Sequence, residues 1–243
     1  MTVIDAKGKY FSDLNAEIKN CGDGEIVVDN CNGQRYIGSG LENKILRING
    51  VPGNALGAYL NNCDLYVNGN AQDATGDTMN GGRIYIYGNS GDATGYAMRG
   101  GAIYIKGGVG YRAGVHIKSY KELRPVIVAG GGSGNFLGEY QAGGVIILLN
   151  LENRENPAGD SIANGMHGGE IFIRGVKASA LGLSPRLVAE NVGADAVALA
   201  GVSKHIEEFA RVFGFDFNKI MESKFLRITP NTRNPYKQLY VNN

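Results

Sequence analysis

The chain has 243 residues, 43% of them hydrophobic, and a formal net charge of +1. That balance gives no electrostatic case for a nucleic-acid or membrane partner, and no window approaches the ~20 apolar residues of a membrane span. Met1 to Tyr10 lacks a basic region followed by an apolar run, so no signal peptide is read and a cytoplasmic chain is expected.

Residues 1–24 read as an N-terminal cap. Ser12 to Asn20 predicts a short helix with Ser12 as N-cap and Gly22 just past its end. Such a helix covers the first strand, whose open edge otherwise invites pairing with another chain. Cys21, Cys31 and Cys63 form an odd set with no Cys-x-x-Cys pair, which predicts buried reduced thiols rather than a metal site.

From residue 25 a beat of 19 residues takes over. Gly38, Gly57, Gly76, Gly95 and Gly114 keep it, and so do Leu41, Leu60, Met79, Met98 and Ile117. Glycine supplies 38 residues, and here its placement is periodic rather than low-complexity. A fixed period near 20 residues marks stacked repeats that bury their apolar faces on one another. Each repeat ends in a short alternating stretch such as Ile84-Tyr85-Ile86, a strand with Ile84 and Ile86 inside and Tyr85 outside. Nothing in the repeat has the 3.6 period of a helix.

An inner series is read as Val27, Leu46, Leu65, Ile84, Ile103, Ile127, Ile146 and Ile171, across excursions at Lys118–Arg124 and Asn150–Pro157. Gln141 interrupts the Leu/Met series, either as a satisfied polar group at the core's edge or as a local widening. The fold class expected is all-β: a right-handed single-stranded parallel β-helix of about eight coils over residues 25–175, with short helical caps. Residues 176–243 read as a second cap and an extended tail. Within them Ser203 to Phe213 predicts an amphipathic helix, with Ile206, Phe209, Ala210 and Phe213 on one face. Lys224 to Asn243 reads as the tail. A left-handed acyltransferase β-helix would need an aliphatic residue every six positions, which the spacing does not supply.

Candidate chemistry is weighed against plain structure. Asp73 and Asp92 should lie one above the other with Asn54 below, within ~5 Å. A carboxylate pair at that separation serves retaining glycosidases; alternatively the three side chains bond to backbone N–H groups at a bend. Gly130-Gly-Gly-Ser-Gly134 resembles a phosphate-cradling loop, but no helix follows to supply the field. His116, His167 and His205 are widely spaced, and no Ser or Cys stands in a nucleophile context. Tyr66, Tyr85 and Tyr104 should stack outside the sheet, as a strand ladder or as a docking face. No catalytic, cofactor-binding or metal residue is assigned on this chain.

With the repeats laid out, the chain resembles the C-terminal glycine-repeat domain of the glutamate synthase large subunit. It is also similar to the glycine-repeat subunit family of formylmethanofuran dehydrogenase. The likeness runs from Asn30 to Gly175. For glutamate synthase it is carried by Asn30 with Arg35, Gly38 and Leu41, by Gly57-Ala58-Tyr59, by Gly110-Tyr111-Arg112-Ala113-Gly114-Val115, and by Gly138-Glu139-Tyr140-Gln141-Ala142-Gly143-Gly144. Gln72 and Ala163 depart from the pattern at glycine positions.

The resemblance implies a non-catalytic scaffold within an enzyme complex that transfers the glutamine amide to 2-oxoglutarate. It implies a glutaminase subunit and an FMN-binding synthase subunit as partners, with FMN and an iron–sulfur cluster on those partners, and leaves a homo-oligomer open. The alternatives are a structural subunit of formylmethanofuran dehydrogenase and a polysaccharide-acting enzyme using Asp73 and Asp92.

Overall fold

The computed structural model describes residues 1–22 and 24–231. In chain order the elements are β1 (Thr2–Asp5), α1 (Phe11–Asn20), β2 (Glu25–Asn32), β3 (Ile45–Val51), β4 (Asp64–Asn68), β5 (Arg83–Ile86), β6 (Ala102–Ile105), β7 (Val126–Ala129) and β8 (Ala142–Leu148). There follow β9 (Gly168–Arg174), β10 (Leu187–Val192), α2 (Val197–Phe213), α3 (Phe217–Met221) and β11 (Phe225–Pro230). Residues 232–243, the greater part of the expected tail, lie outside the described residues; Phe225–Pro230, near its expected start, is a strand.

The expectation of a right-handed single-stranded parallel β-helix with short helical caps is corrected. The described strands form one 11-stranded mixed sheet, in the order β1 through β9, then β11, then β10. Strands β1 to β9 pair parallel, whereas β11 is antiparallel to both β9 and β10. The sheet ends in two edges, β1 and β10, rather than closing. The period specifies strands stacked in chain order; it does not specify the path between them. That path is mostly turn, with isolated parallel bridges such as Ala71 to Ser90. Nor is helix confined to short caps, since α2 is a 17-residue helix packed on the sheet.

Register explains the inner series. Leu46, Leu65, Ile84, Ile103, Ile127, Ile146 and Ile171 share one line across β3 to β9 and are fully buried. The line starts at Ile26, not Val27: Ile26 faces Leu46 while Val27 faces the exposed Arg47. The first step is thus 20 residues, and the ladder shifts between Val28 and Cys31, so a strict 19-residue beat lands one position late.

Each intervening turn uses left-handed backbone at three positions. The middle one is the periodic glycine in every turn but the last, where it is Ala163, and at Gly57 an added Cβ would lie 2.7 Å from Ile84 Cδ1. At Gly76, Gly95 and Gly114 it would lie nearer still to Ile103, Ile127 and Ile146. The flanking positions also have positive φ yet carry side chains, for example Ala93 (53°) and Ala97 (50°) around Gly95. Packing against the next repeat, more than backbone conformation, therefore dictates the glycine.

The sheet is buried on both faces over much of its length. On one side the inner series packs with Leu56, Leu60, Met79, Met98 and Ile117. On the other, Tyr85, Tyr104, Val128, Ile147 and Phe172 meet Leu199, Val202, Ile206, Phe209 and Phe213 of α2. Gly214, with φ of 75°, ends that helix. At the N-terminal end α1 starts one residue before Ser12, its N-cap is Tyr10 without a side-chain bond, and its C-cap is Cys21. It is fixed by burial of Leu14 and Ile18, and the edge of β2 is paired by β1.

Candidate partner-docking face and the helix-covered face

Asp73 and Asp92 accept from backbone. Asp73 Oδ1 accepts from the Asp92 N–H at 2.9 Å, and Asp92 Oδ1 from the Tyr111 N–H at 2.8 Å. A parallel column does the same with amides: Asn70 Oδ1 accepts from the Asn89 N–H at 2.8 Å, and Asn89 Oδ1 from the Gly108 N–H at 2.9 Å. Glycines 88, 91, 107 and 110 leave room for those oxygens, since a Cβ on any of them would collide with the acceptor below. The Gly-x-x-Gly spacing is thus the negative image of an Asx ladder, and the bend reading of Asp73 and Asp92 prevails over the sugar-cleaving one.

In the Gly130 to Gly134 run, amides already have carbonyl partners: Gly130 N–H donates to Ile105 O at 2.9 Å, Gly131 N–H to Gly107 O at 2.8 Å, and Ser133 N–H to Pro157 O at 2.7 Å. That leaves no cradle for a phosphate. A Cβ on Gly130 would collide with Lys106 O and lie 2.9 Å from Phe209 Cζ, so this glycine makes room for the carbonyl of the preceding repeat and for a fully buried ring of α2. Gln141 is fully buried; its Nε2 donates to Gly143 O at 3.0 Å, while Oε1 has no partner among the described residues. Cys31 and Cys63 are buried, Cys21 is half-buried, and all three are free thiols. Burial pushes the Cys31 thiol up to about 11. Among the described residues no three His, Cys, Asp or Glu side chains gather as a metal set.

The tyrosine stripe is a ladder, and most of it is covered. Tyr66 and Tyr85 stack at 4.8 Å between ring centroids, and Tyr85 and Tyr104 at 5.2 Å. Tyr85 points away from the inner series as expected, yet it is wholly buried because α2 lies over it. Tyr85 Oη donates to Glu208 at 2.7 Å, and Tyr104 Oη lies 2.9 Å from His205 Nδ1. Burial raises the pKa of both phenols, so each stays protonated. Of the two readings of the stripe, the ladder holds, and the face offered as a docking surface is taken by the chain's own helix. His205 had no visible partner in sequence because its partner lies 101 positions away.

A different aromatic patch remains exposed, on the turns beyond the periodic glycines. His116 stacks on Tyr140 at 5.2 Å, and Tyr96 meets His116 edge-on at 6.0 Å. Beside them Arg112 lies 4.7 Å above the ring of Phe136 and pairs with Glu139 at 3.4 Å. Tyr111 is 52% exposed, Tyr96 40% and Tyr140 39%. Residues 111–116 and 136–140, in successive repeats, thus meet with Tyr96 in one surface of rings and a charge pair. Sequence reasoning placed His116 outward but did not join it to Tyr140; the shared column, two residues past Gly114 and Gly138, was the signal that could have joined them.

The match to a family model runs from residue 4 to residue 231 and is to the GXGXG motif. The chain belongs to the GXGXG motif family. One relative is an uncharacterised protein of Methanocaldococcus jannaschii, 42% identical over 98% of this chain and 96% of that one. Among solved structures, a chain of the formyltransferase/hydrolase complex of Methylorubrum extorquens, solved with methylofuran, is similar. It has a TM-score of 0.66 and 20% identity, over 93% of this chain and 90% of that one. At that identity the likeness is one of fold. In this GXGXG chain no helix among the described residues is long and apolar enough to cross a membrane.

Proposed function

We propose that this chain is a non-catalytic subunit of a multi-subunit enzyme complex of the glutamate synthase type. In that reading it joins a glutaminase subunit to an FMN- and iron–sulfur-bearing synthase subunit, and the cofactors sit on the partners. The observation that supports it is the exposed patch of Tyr111, Arg112, Tyr140 and His116, with the half-buried Glu139 beside it. All but His116, which directly follows the first of them, come from two of the segments that carry the resemblance to glutamate synthase. The contribution to mechanism is geometric. Side chains locked between stacked repeats keep two reacting centres at a fixed separation and wall the route of ammonia between them.

A second reading, a structural subunit of a formylmethanofuran dehydrogenase-type complex, is supported by the fold similarity to a chain of the methylofuran-bound complex.

Affinity capture of the full chain from native extract, followed by mass spectrometry, tests both. The first reading expects a flavoprotein with iron–sulfur ligands and a glutaminase. Molybdopterin or amidohydrolase subunits would transfer support to the second, and a chain that runs alone at native concentration removes both. In the captured complex, Tyr140→Ala or Arg112→Ala should weaken partner affinity by about 2 kcal/mol, ~30-fold, with the chain's own melting temperature little changed.

A further inference from the structure

A cleft of about 390 Å³ opens where α2 leaves the sheet, lined among others by Arg83, Tyr104, Glu122, Arg124, Lys204 and His205. That volume lies in the range of small-ligand sites. Three elements meet there: the starts of β5 to β8, the 118–125 excursion and the N-terminal half of α2. Among the lining side chains, three permanent cations face one carboxylate, Glu122.

Two of the cations are held in place from behind. Arg83 Nε donates to Asp64 at 2.9 Å, and Arg124 pairs with Glu170, which also holds Arg227. Each guanidinium has five N–H donors, so those pairs fix its plane and leave donors over. Lys204 is exposed and makes no ion pair among the described residues. Tyr104 Oη and His205 Nδ1 share a 2.9 Å hydrogen bond whose direction follows the ring's tautomer; in the Nε2–H tautomer the phenol donates and the ring offers a further donor to the cleft.

We propose that this cleft binds a small carboxylate-bearing anion, gripped by Arg124, Lys204 and the His205 ring. The charge at the site supports it: after burial, Lys204 and Arg124 are the next causes holding the His205 pKa down, to about 4. Positive potential is therefore incompletely neutralised at that ring. Glu208 on α2 acts in the opposite sense, while Tyr104 on β6, Arg83 on β5 and Glu122 on the excursion complete the polar surroundings. The inference is independent of the subunit reading, because the cleft is built entirely within this chain.

The test uses the isolated full-length protein with succinate as probe, succinamide as its uncharged counterpart and inorganic phosphate as a compact anion. Calorimetry should show saturable succinate binding with a dissociation constant below about 1 mM at low salt. Lys204→Gln should weaken it about tenfold, and Lys204→Arg should restore it. In parallel, the His205 ring resonance should report a titration midpoint raised by about one pH unit when succinate saturates the site. A merely structural cleft would not move that midpoint. Equal binding of succinamide, tighter binding of phosphate, no saturation by about 10 mM, or undiminished binding in Lys204→Gln would each overturn the assignment.

Discussion

The periodic glycines separate two demands that are usually confounded. Gly95 and Gly40 both have left-handed backbone, with φ of 71° and 64°. A Cβ on Gly95 would run into Ile127, whereas one on Gly40 meets nothing within 4 Å. Moreover Gly40 shares its column with Tyr59, Thr78, Ala97 and His116, all with φ between 50° and 56°. Gly95→Ala should therefore cost about 2–4 kcal/mol and Gly40→Ala only the left-handed backbone strain of about 1–2 kcal/mol, read from urea unfolding midpoints. The Asx ladder allows an equally direct comparison. Asp92→Asn keeps an acceptor for the Tyr111 N–H and should be near neutral, as the amide column of Asn70 and Asn89 already shows. Asp92→Ala removes the acceptor and should cost about 1 kcal/mol in the same measurement.

At the scale of elements, α2 governs how the sheet's second face is buried. Phe209 is fully buried, stacks on Phe215 at 5.6 Å and meets Phe213 edge-on at 4.9 Å. Phe209→Ala should cost about 3–5 kcal/mol and hasten amide exchange in β6 to β8. The same helix makes stability depend on pH. Burial first, then Lys204 and Arg124, pull the His205 pKa from 6.5 to about 4. An unfolded chain takes up that proton near 6.5 while the folded chain refuses it until about 4. Stability is thus complete at pH 7 and falls as pH drops through that window. Glu208, held low by Arg211 and then by Tyr85, loses stabilisation in the same direction at lower pH. His205→Asn, which retains an acceptor for Tyr104, should flatten the decline of melting temperature between about pH 6.5 and 4.5.

Much of this element was legible: the apolar spacing of Ile206, Phe209 and Phe213 announced a one-sided helix, and Tyr66, Tyr85 and Tyr104 announced an apolar row. That each was the other's partner was not legible, because local periodicity carries no information about contacts 100 residues apart. The helix's first turns were missed for a similar reason. Val197 is exposed and Leu199 and Val202 acquire a buried face only from β7 to β9 above.

Over the whole molecule, the stacking of strands in chain order followed from the 19-residue beat, since identical spacing permits identical packing at each step. The closure into a regular β-helix did not follow, because the sheet turns antiparallel at β11 and takes its last strand from a segment outside the repeat. Val27 shows the limit at the other end: a single extra residue between Val28 and Cys31 moves the first half of β2 by one face. Removing residues 1–22 would strip β1 from β2 and uncover the packing partners of Ile4, Leu14 and Ile18. Light scattering of that truncation should report concentration-dependent oligomers, where the intact chain stays at one size.

The acceptor columns have a consequence for length. The rungs of Asn70 with Asp73 and of Asn89 with Asp92 each present the next with the same pair of oxygens at the same 19-residue offset, so either can stand in for the other. Excising Gly69 to Tyr87 would bring Gly88 onto Asn68 and shorten the stack by one strand spacing of ~4.8 Å without exposing a raw seam. The chain is, in that sense, a ruler graduated in whole steps: insertion or loss of a rung resets the span between whatever is attached at its two ends, and leaves every other graduation true.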